Sequence, residues 1–263
     1  MQTADRAFKL GYSAIGWGPE PDLDVVLGTI SEAGYEGVEF ISVATDWLGT
    51  PARLRRLTDE HGLAPVCFFG SVDLGSPETE RAQLERQRRL IEYAAEVGAP
   101  IYAFLGGKRV HQRFPTDDEL RRLGELGERL VDHAAPLGLS VVYHAHPLCT
   151  VESEAEQDRM LAHAPRVRVC LDVSVSALMG EDPLAQIRKY GRRIGYVHMK
   201  DWARGKFVPM GQGTVGLDFG RVRETLNEIG YRGWVMGELS SYADHDAAEA
   251  CRRNMDYLRS VGY

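Results

Sequence analysis

Short apolar runs alternate with longer amphipathic stretches along the whole chain, and the spacing of that alternation limits the fold more than any other feature. The apolar runs are residues 10–16, 37–41, 64–69, 101–105, 140–144, 167–173, 194–199 and 234–239. Their length and their content of Val, Ile, Tyr and Phe are those of buried strands. The intervening stretches, 22–32, 50–60, 76–96, 117–135, 153–163, 183–192, 219–229 and 244–261, read as helices. In 76–96 and 117–135, Leu84, Leu90, Ile91 and Ala94, then Leu120, Leu123, Leu126 and Leu130, recur at helical spacing among Arg and Glu. That is the pattern of a helix with one buried face. Glycine closes five of these stretches, at Gly34, Gly62, Gly98, Gly138 and Gly230, as suits the left-handed residue that ends a helix. From Glu39 onward the strand ends fall 26 to 40 residues apart, about 33 on average.

Eight β units and eight α units therefore fill the chain, with no linker and no low-complexity tract. Strict alternation fits either an open doubly wound sheet or a closed parallel barrel. No Gly-rich nucleotide-binding turn follows the first run, and eight even units favour a single (β/α)8 TIM barrel over residues 1–263, a size typical of that fold. The chain has 31 basic and 38 acidic side chains, a formal charge of −7, which argues against nucleic acid or an anionic membrane as partner. No apolar run approaches the roughly 18 residues of a membrane span. The first ten residues mix Asp5, Arg6 and Lys9 with no apolar core, unlike a signal peptide. Cys67, Cys149, Cys170 and Cys251 have no paired short spacing, so reduced cysteines and a cytoplasmic location are expected.

In a barrel of this kind the active site forms at the C-terminal ends of the strands. The fifth run ends in His144 and His146, the sixth in Asp172, and the seventh in His198, Lys200 and Asp201. The eighth ends in Glu238, and the second contains Glu39. Taken singly, each has an ordinary explanation: a hydrogen-bonded histidine, an aspartate capping the next helix, or an ion pair for Lys200 or Glu39. Glu238 is harder to place, since a carboxylate in an apolar strand is costly to bury without a partner. Four neighbouring strands each interrupt an apolar run with a His or carboxylate at the same end. Two imidazoles and two carboxylates there suit one divalent cation, Mn, Co, Mg or Zn.

These residues lie in longer segments that are themselves recognisable. YHAH at 143–146, LD at 171–172, VHMKD at 197–201, PMGQG at 209–213 followed by LDF, and GYRGWVMGE at 230–238 resemble the xylose isomerase-like TIM barrels of the sugar isomerase and epimerase type. Within these the chain is most similar to the inosose (2-keto-myo-inositol) dehydratases. The resemblance implies one divalent ion, manganese first among the candidates, held by His144, Asp172, His198 and Glu238. It also turns His146 and Lys200 toward the substrate. The chain departs from the pattern at Val175, where relatives commonly have His, and at Gln212, where an acidic residue is common. It departs again at Leu239-Ser240-Ser241-Tyr242, in place of an acidic and amide stretch. These changes fall around the substrate and not among the ligands.

The implied chemistry is proton removal beside a carbonyl, the resulting enediolate being stabilised by the metal. Epimerisation, aldose–ketose isomerisation or loss of a β-hydroxyl can follow. Glu238 and His146 are the candidate base and acid, with His146 able to protonate a departing hydroxyl and Lys200 neutralising the oxyanion. His in place of Glu on the fifth strand removes the symmetric pair of carboxylates and favours elimination or isomerisation. Glu39, Trp17, Trp202 and Phe69 are candidates for binding a small polyhydroxylated substrate. The stretch 203–216 is a candidate lid, and Lys108, Arg109, Arg204 and Lys206 are candidates for a phosphate. A homodimer or homotetramer is compatible with the family. Rival readings are a 3-dehydroshikimate dehydratase-like or keto-glycoside-eliminating lyase, an endonuclease IV-like phosphoesterase, and a non-catalytic binding protein. The phosphoesterase is disfavoured by net charge and by few histidines.

Overall fold

The structure, a computed structural model, describes residues 8–41, 45–74, 76–109, 113–239 and 246–263. Eight parallel strands close into a barrel: β1 (Lys9–Ser13), β2 (Gly37–Ile41), β3 (Ala64–Val72), β4 (Ile101–Gly106), β5 (Ser140–His144), β6 (Arg168–Asp172), β7 (Ile194–Met199) and β10 (Trp234–Gly237). A hairpin of β8 (Asp201–Ala203) and β9 (Lys206–Val208) stands outside the barrel. The helices are α1 (Leu23–Ala33), α2 (Thr45–Leu48), α3 (Pro51–Glu60), α4 (Pro77–Val97), α5 (Asp117–Ala134), α6 (Glu154–Leu161), α7 (Val173–Leu178), α8 (Pro183–Tyr190), α9 (Phe219–Glu228) and α10 (Ala247–Ser260). The expected barrel is therefore present.

Two apolar layers hold it together. One lies between barrel and helices; the other fills the barrel and includes Val66, Cys67, Ile101, Ala103, Val142, Cys170, Tyr196 and Met236. Because strand side chains alternate between faces, the residue two further along each strand also points inward. Val142 is followed by His144, Cys170 by Asp172, Tyr196 by His198 and Met236 by Glu238. The register sets Asp172 level with His198, and His198 level with Met236. The interior packing and the functional positions are thus successive layers of one stack.

Helix ends follow local chemistry. Thr116 and Glu119 form a capping box on α5, Ser153 and Glu156 another on α6, each satisfying orphan backbone donors. Gly34 and Gly98 close α1 and α4 with φ of 96° and 99°. The first strand is shorter than its apolar run because Ser13 caps a 3-10 turn over Ala14–Trp17. The sixth ends at Asp172, one residue early, because Asp172 caps the unforeseen helix α7. The 203–216 stretch begins inside the hairpin, which turns at Arg204 and Gly205 with φ of 53° and 81°. The four cysteines are free. Among the described residues no helix is long and apolar enough to cross a membrane.

Candidate metal centre

His144, Asp172, His198 and Glu238 meet at the C-terminal end of the barrel, each offering one donor atom, all within 4.8 Å of one another. All four are buried, at 2%, 3%, 1% and 7% exposure. In His144, Asp172 and His198 the second atom is already engaged, which fixes the donor that remains. His144 Nδ1 donates to the Ala145 carbonyl at 2.7 Å, so Nε2 keeps its lone pair and faces Asp172 Oδ2 at 3.5 Å. Asp172 Oδ1 accepts from the Ser174 and Val175 amides at 2.9 and 3.0 Å, leaving Oδ2 for the centre. His198 Nε2 donates to Glu39 Oε2 at 2.9 Å, and Tyr196 Oη donates to the same oxygen. That leaves His198 Nδ1 facing Glu238 Oε2 at 2.9 Å.

Two of these donors test whether a cation fits. Asp172 Oδ2 and His198 Nδ1 are buried without a hydrogen bond of acceptable geometry, although charged neighbours stand within ion-pair distance. Buried polar atoms seldom lack such a partner. Charge points the same way. Three carboxylates, Glu39, Asp172 and Glu238, stand against one ammonium, Lys200, with Nζ at 2.8 Å from Asp172 Oδ2 and 3.0 Å from Glu238 Oε2. Lys200 leaves two negative charges, which a protonated His198 only half offsets and a divalent ion in place of that proton would balance. Burial works against a protonated His198, but Glu39 and Glu238 outweigh it and push its pKa up to about 10. Burial likewise opposes the charged forms of Asp172 and Glu238, yet Lys200 and the imidazoles hold both below the usual carboxylate range. The residues present fit a divalent metal ion.

A cavity of about 420 Å³ opens beside the cluster, and His144, His146, His198, Glu238 and Glu39 are on its wall. His146 Nδ1 donates to the Pro147 carbonyl at 2.9 Å, so its Nε2 is the free nitrogen. Burial, then Lys200 and His144, push the His146 pKa down to about 4. Glu39 is 0% exposed and its Oε1 has no hydrogen-bond partner. Phe69 wedges against both imidazoles, its ring centroid 5.3 Å from that of His144 and 6.0 Å from that of His198.

The other expected residues are placed elsewhere. Lys200 is 1% exposed and is not on the cavity wall. Trp17 packs edge-on against Tyr12, and Trp202 against Phe207; neither lines the cavity, whereas Phe207 does. Asp201 accepts from the Gly211 and Gly213 amides at 3.1 and 2.9 Å, which ties 203–216 to the end of β7. Arg109 is paired with Glu152 and Glu156, and Lys108, Arg109, Arg204 and Lys206 are all absent from the cavity lining. Ser240, Ser241 and Tyr242, and the N-terminal residues Asp5 and Arg6, lie outside the described residues.

Residues from α4 complete the cavity and were not anticipated. Gln87 is 2% exposed, accepts from Tyr102 Oη at 2.6 Å and donates to the Ser71 carbonyl at 2.8 Å. A polar side chain on the apolar stripe of Leu84, Ile91 and Ala94 was the available signal. Phe207 carried none, since the hairpin that presents it has no periodic pattern.

Residues 27–261 match the family described as xylose isomerase-like TIM barrel. An inosose dehydratase of Lacticaseibacillus casei is 29% identical over 282 residues, covering 92% of this chain and 91% of the relative. Among solved structures, the apo form of 3-keto-D-glucoside 4-epimerase from E. coli superposes with a TM-score of 0.81 at 21% identity, covering 96% of this chain and 99% of that one. The IOLI protein with a bound zinc atom superposes with a TM-score of 0.82 at 18% identity, covering 97% and 98%.

Proposed function

This chain belongs to the xylose isomerase-like TIM barrel family, and on that premise we propose that it is a divalent-metal-dependent sugar isomerase, epimerase or dehydratase. Its substrate is a keto-sugar, keto-cyclitol or related polyol, and the inosose dehydratase type of elimination is the leading reaction. One observation carries the reading: four buried donors from four adjacent strands converge within 4.8 Å, three of them on the wall of a cavity that also holds a free imidazole nitrogen.

His144, Asp172, His198 and Glu238 hold the metal, manganese first among the candidates. When bound, a divalent ion supplies the Lewis acidity that stabilises negative charge developing on a carbonyl oxygen. The chain's own groups do the rest. Glu238, the expected base, is engaged by Lys200 and His198, so the removal of the proton from the carbon beside the carbonyl passes to His146, whose Nδ1 is held by Pro147 and whose Nε2 is left free. Glu39 Oε1 accepts a substrate hydroxyl, and Phe69 and Phe207 pack against the carbon skeleton. His144 stands where a fifth-strand carboxylate would complete the symmetric two-carboxylate epimerase arrangement, which favours elimination. The −7 charge weighs against the multi-zinc phosphoesterase reading, as does the fact that the two donor groups among the described residues, one with Cys170, share His144 and His198 and so make a single site.

The decisive experiment incubates Mn-loaded protein in D2O with ketoses, keto-cyclitols and keto-glycosides and follows the products by mass spectrometry. Loss of water identifies a dehydratase, and deuterium uptake without water loss an isomerase or epimerase. Neither event with any substrate class, or no metal bound at all, refutes the proposal.

A further inference from the structure

Lys200 sits on the Asp172 oxygen that the proposed metal would use and on one of the two Glu238 oxygens. Its Nζ is 2.8 Å from Asp172 Oδ2 and 3.0 Å from Glu238 Oε2. Those oxygens are also the ones facing the imidazoles, at 3.5 Å from His144 Nε2 and 2.9 Å from His198 Nδ1. Asp172 has no second oxygen to offer, because Oδ1 is committed to the first amides of α7. The lysine is also fixed from behind. Its amide donates to Ser174 Oγ at 2.9 Å, Ser174 Oγ donates to the Lys200 carbonyl, and the Phe207 ring stands 4.7 Å from Nζ. An ammonium and a divalent ion drawing on the same two buried carboxylates repel each other strongly, because little water screens them.

We propose that Lys200 is a resident cation that sets the metal affinity of the centre. It holds the Asp172 and Glu238 carboxylates together before the metal arrives, and it weakens the metal's hold afterwards. This inference rests on the metal-centre reading above. It differs in sign from an ordinary structural ion pair: removing a lysine that only positions the carboxylates would loosen metal binding, whereas removing a competing charge tightens it.

The test is calorimetric titration of Mn2+ into wild type, Lys200→Met and Lys200→Arg. Lys200→Met should bind at least tenfold more tightly, about 1.4 kcal/mol, while its metal-free form melts at a lower temperature. Lys200→Arg keeps the charge and should stay within about threefold of wild type. If metal-free Lys200→Met does not remain folded, the variant is purified with Mn2+ bound and its release to excess EDTA is timed. Release at least tenfold slower than from wild type is then expected. Unchanged or weaker binding by Lys200→Met, or release as fast as wild type, overturns the inference and leaves the metal centre standing. Failure of wild type to bind Mn2+ overturns both.

Discussion

The Glu39 carboxylate on β2 and the His198 imidazole on β7 are joined across the barrel by a hydrogen bond of 2.9 Å, with Nε2–H as the donor. That bond settles which nitrogen of His198 is left for the centre, and it raises the basicity of Nδ1. Glu39 was expected at the substrate, and the ion-pair alternative is what its Oε2 does, while its Oε1 is buried without a hydrogen-bond partner in a residue that borders the cavity.

Glu39→Gln should therefore weaken Mn2+ binding by roughly 10- to 100-fold, as found when the outer partner of a metal-bound histidine is removed. The amide keeps the shape of the carboxylate, so the fold should survive. Calorimetric titration together with the far-ultraviolet circular dichroism spectrum checks both halves. Wild-type affinity in the variant would show that Glu39 does not orient His198.

Asp172 has two tasks, and two substitutions separate them. Its Oδ1 caps α7 and its Oδ2 faces the centre. Asparagine caps a helix about as well as aspartate, whereas alanine does not cap, at a cost of about 1 kcal/mol. Asp172→Asn and Asp172→Ala should both lose metal binding, yet the alanine variant should be the less stable of the two by about 1 kcal/mol in urea unfolding without metal. Equal stability would mean that the cap contributes nothing, and metal binding by either variant would remove Asp172 from the ligand set.

The barrel and the ligand positions were legible for one reason: a strand buried on both faces reads as an apolar run, so a His or carboxylate inside it stands out. His144, Asp172, His198 and Glu238 each follow an inward apolar residue by two, a periodicity written in the sequence itself. What could not be read depends on contacts between distant elements. The hairpin of Asp201–Ala203 with Lys206–Val208 arises from a left-handed turn at Arg204 and Gly205 that propensity alone does not announce. Trp17 and Trp202 looked like sugar-stacking residues because they end strands, but the path of the backbone packs each on another aromatic ring. Gln87 reaches the cavity only because α4 packs against β3.

The capping box of α5 gives the fold an acid-sensitive contact that involves none of the four candidate ligands. Hydrogen bonds from Arg113, followed by those from Thr116, hold Glu119 down to about 2 against its ordinary 4.5. A carboxylate with a depressed folded-state pKa stabilises the protein above its unfolded pKa, and that contribution fades as pH falls from about 4.5 toward 2. The stability difference between wild type and Glu119→Gln should accordingly be largest near neutrality and shrink over that window. Thr116→Ala should cost about 1 kcal/mol at pH 7. Urea unfolding midpoints across the pH series provide the measurement, and a difference independent of pH would exclude Glu119 as the titrating group.

His146 is separated from the cluster by its own hydrogen bond. Nδ1 is held by the Pro147 carbonyl at 2.9 Å, and the ring is absent from the four-donor group while remaining on the cavity wall. A residue that moves a proton without holding the metal has a distinct kinetic signature. His146→Gln should leave Mn2+ affinity within about threefold of wild type and lower kcat by 10²- to 10⁴-fold, the usual contribution of a positioned acid or base. Loss of deuterium exchange at the carbon beside the carbonyl should parallel the loss of kcat, because both report the same proton transfer. A variant that exchanged deuterium at the wild-type rate but failed to turn over would move His146 to a later step. A variant that lost its metal would instead place the imidazole in the ligand set.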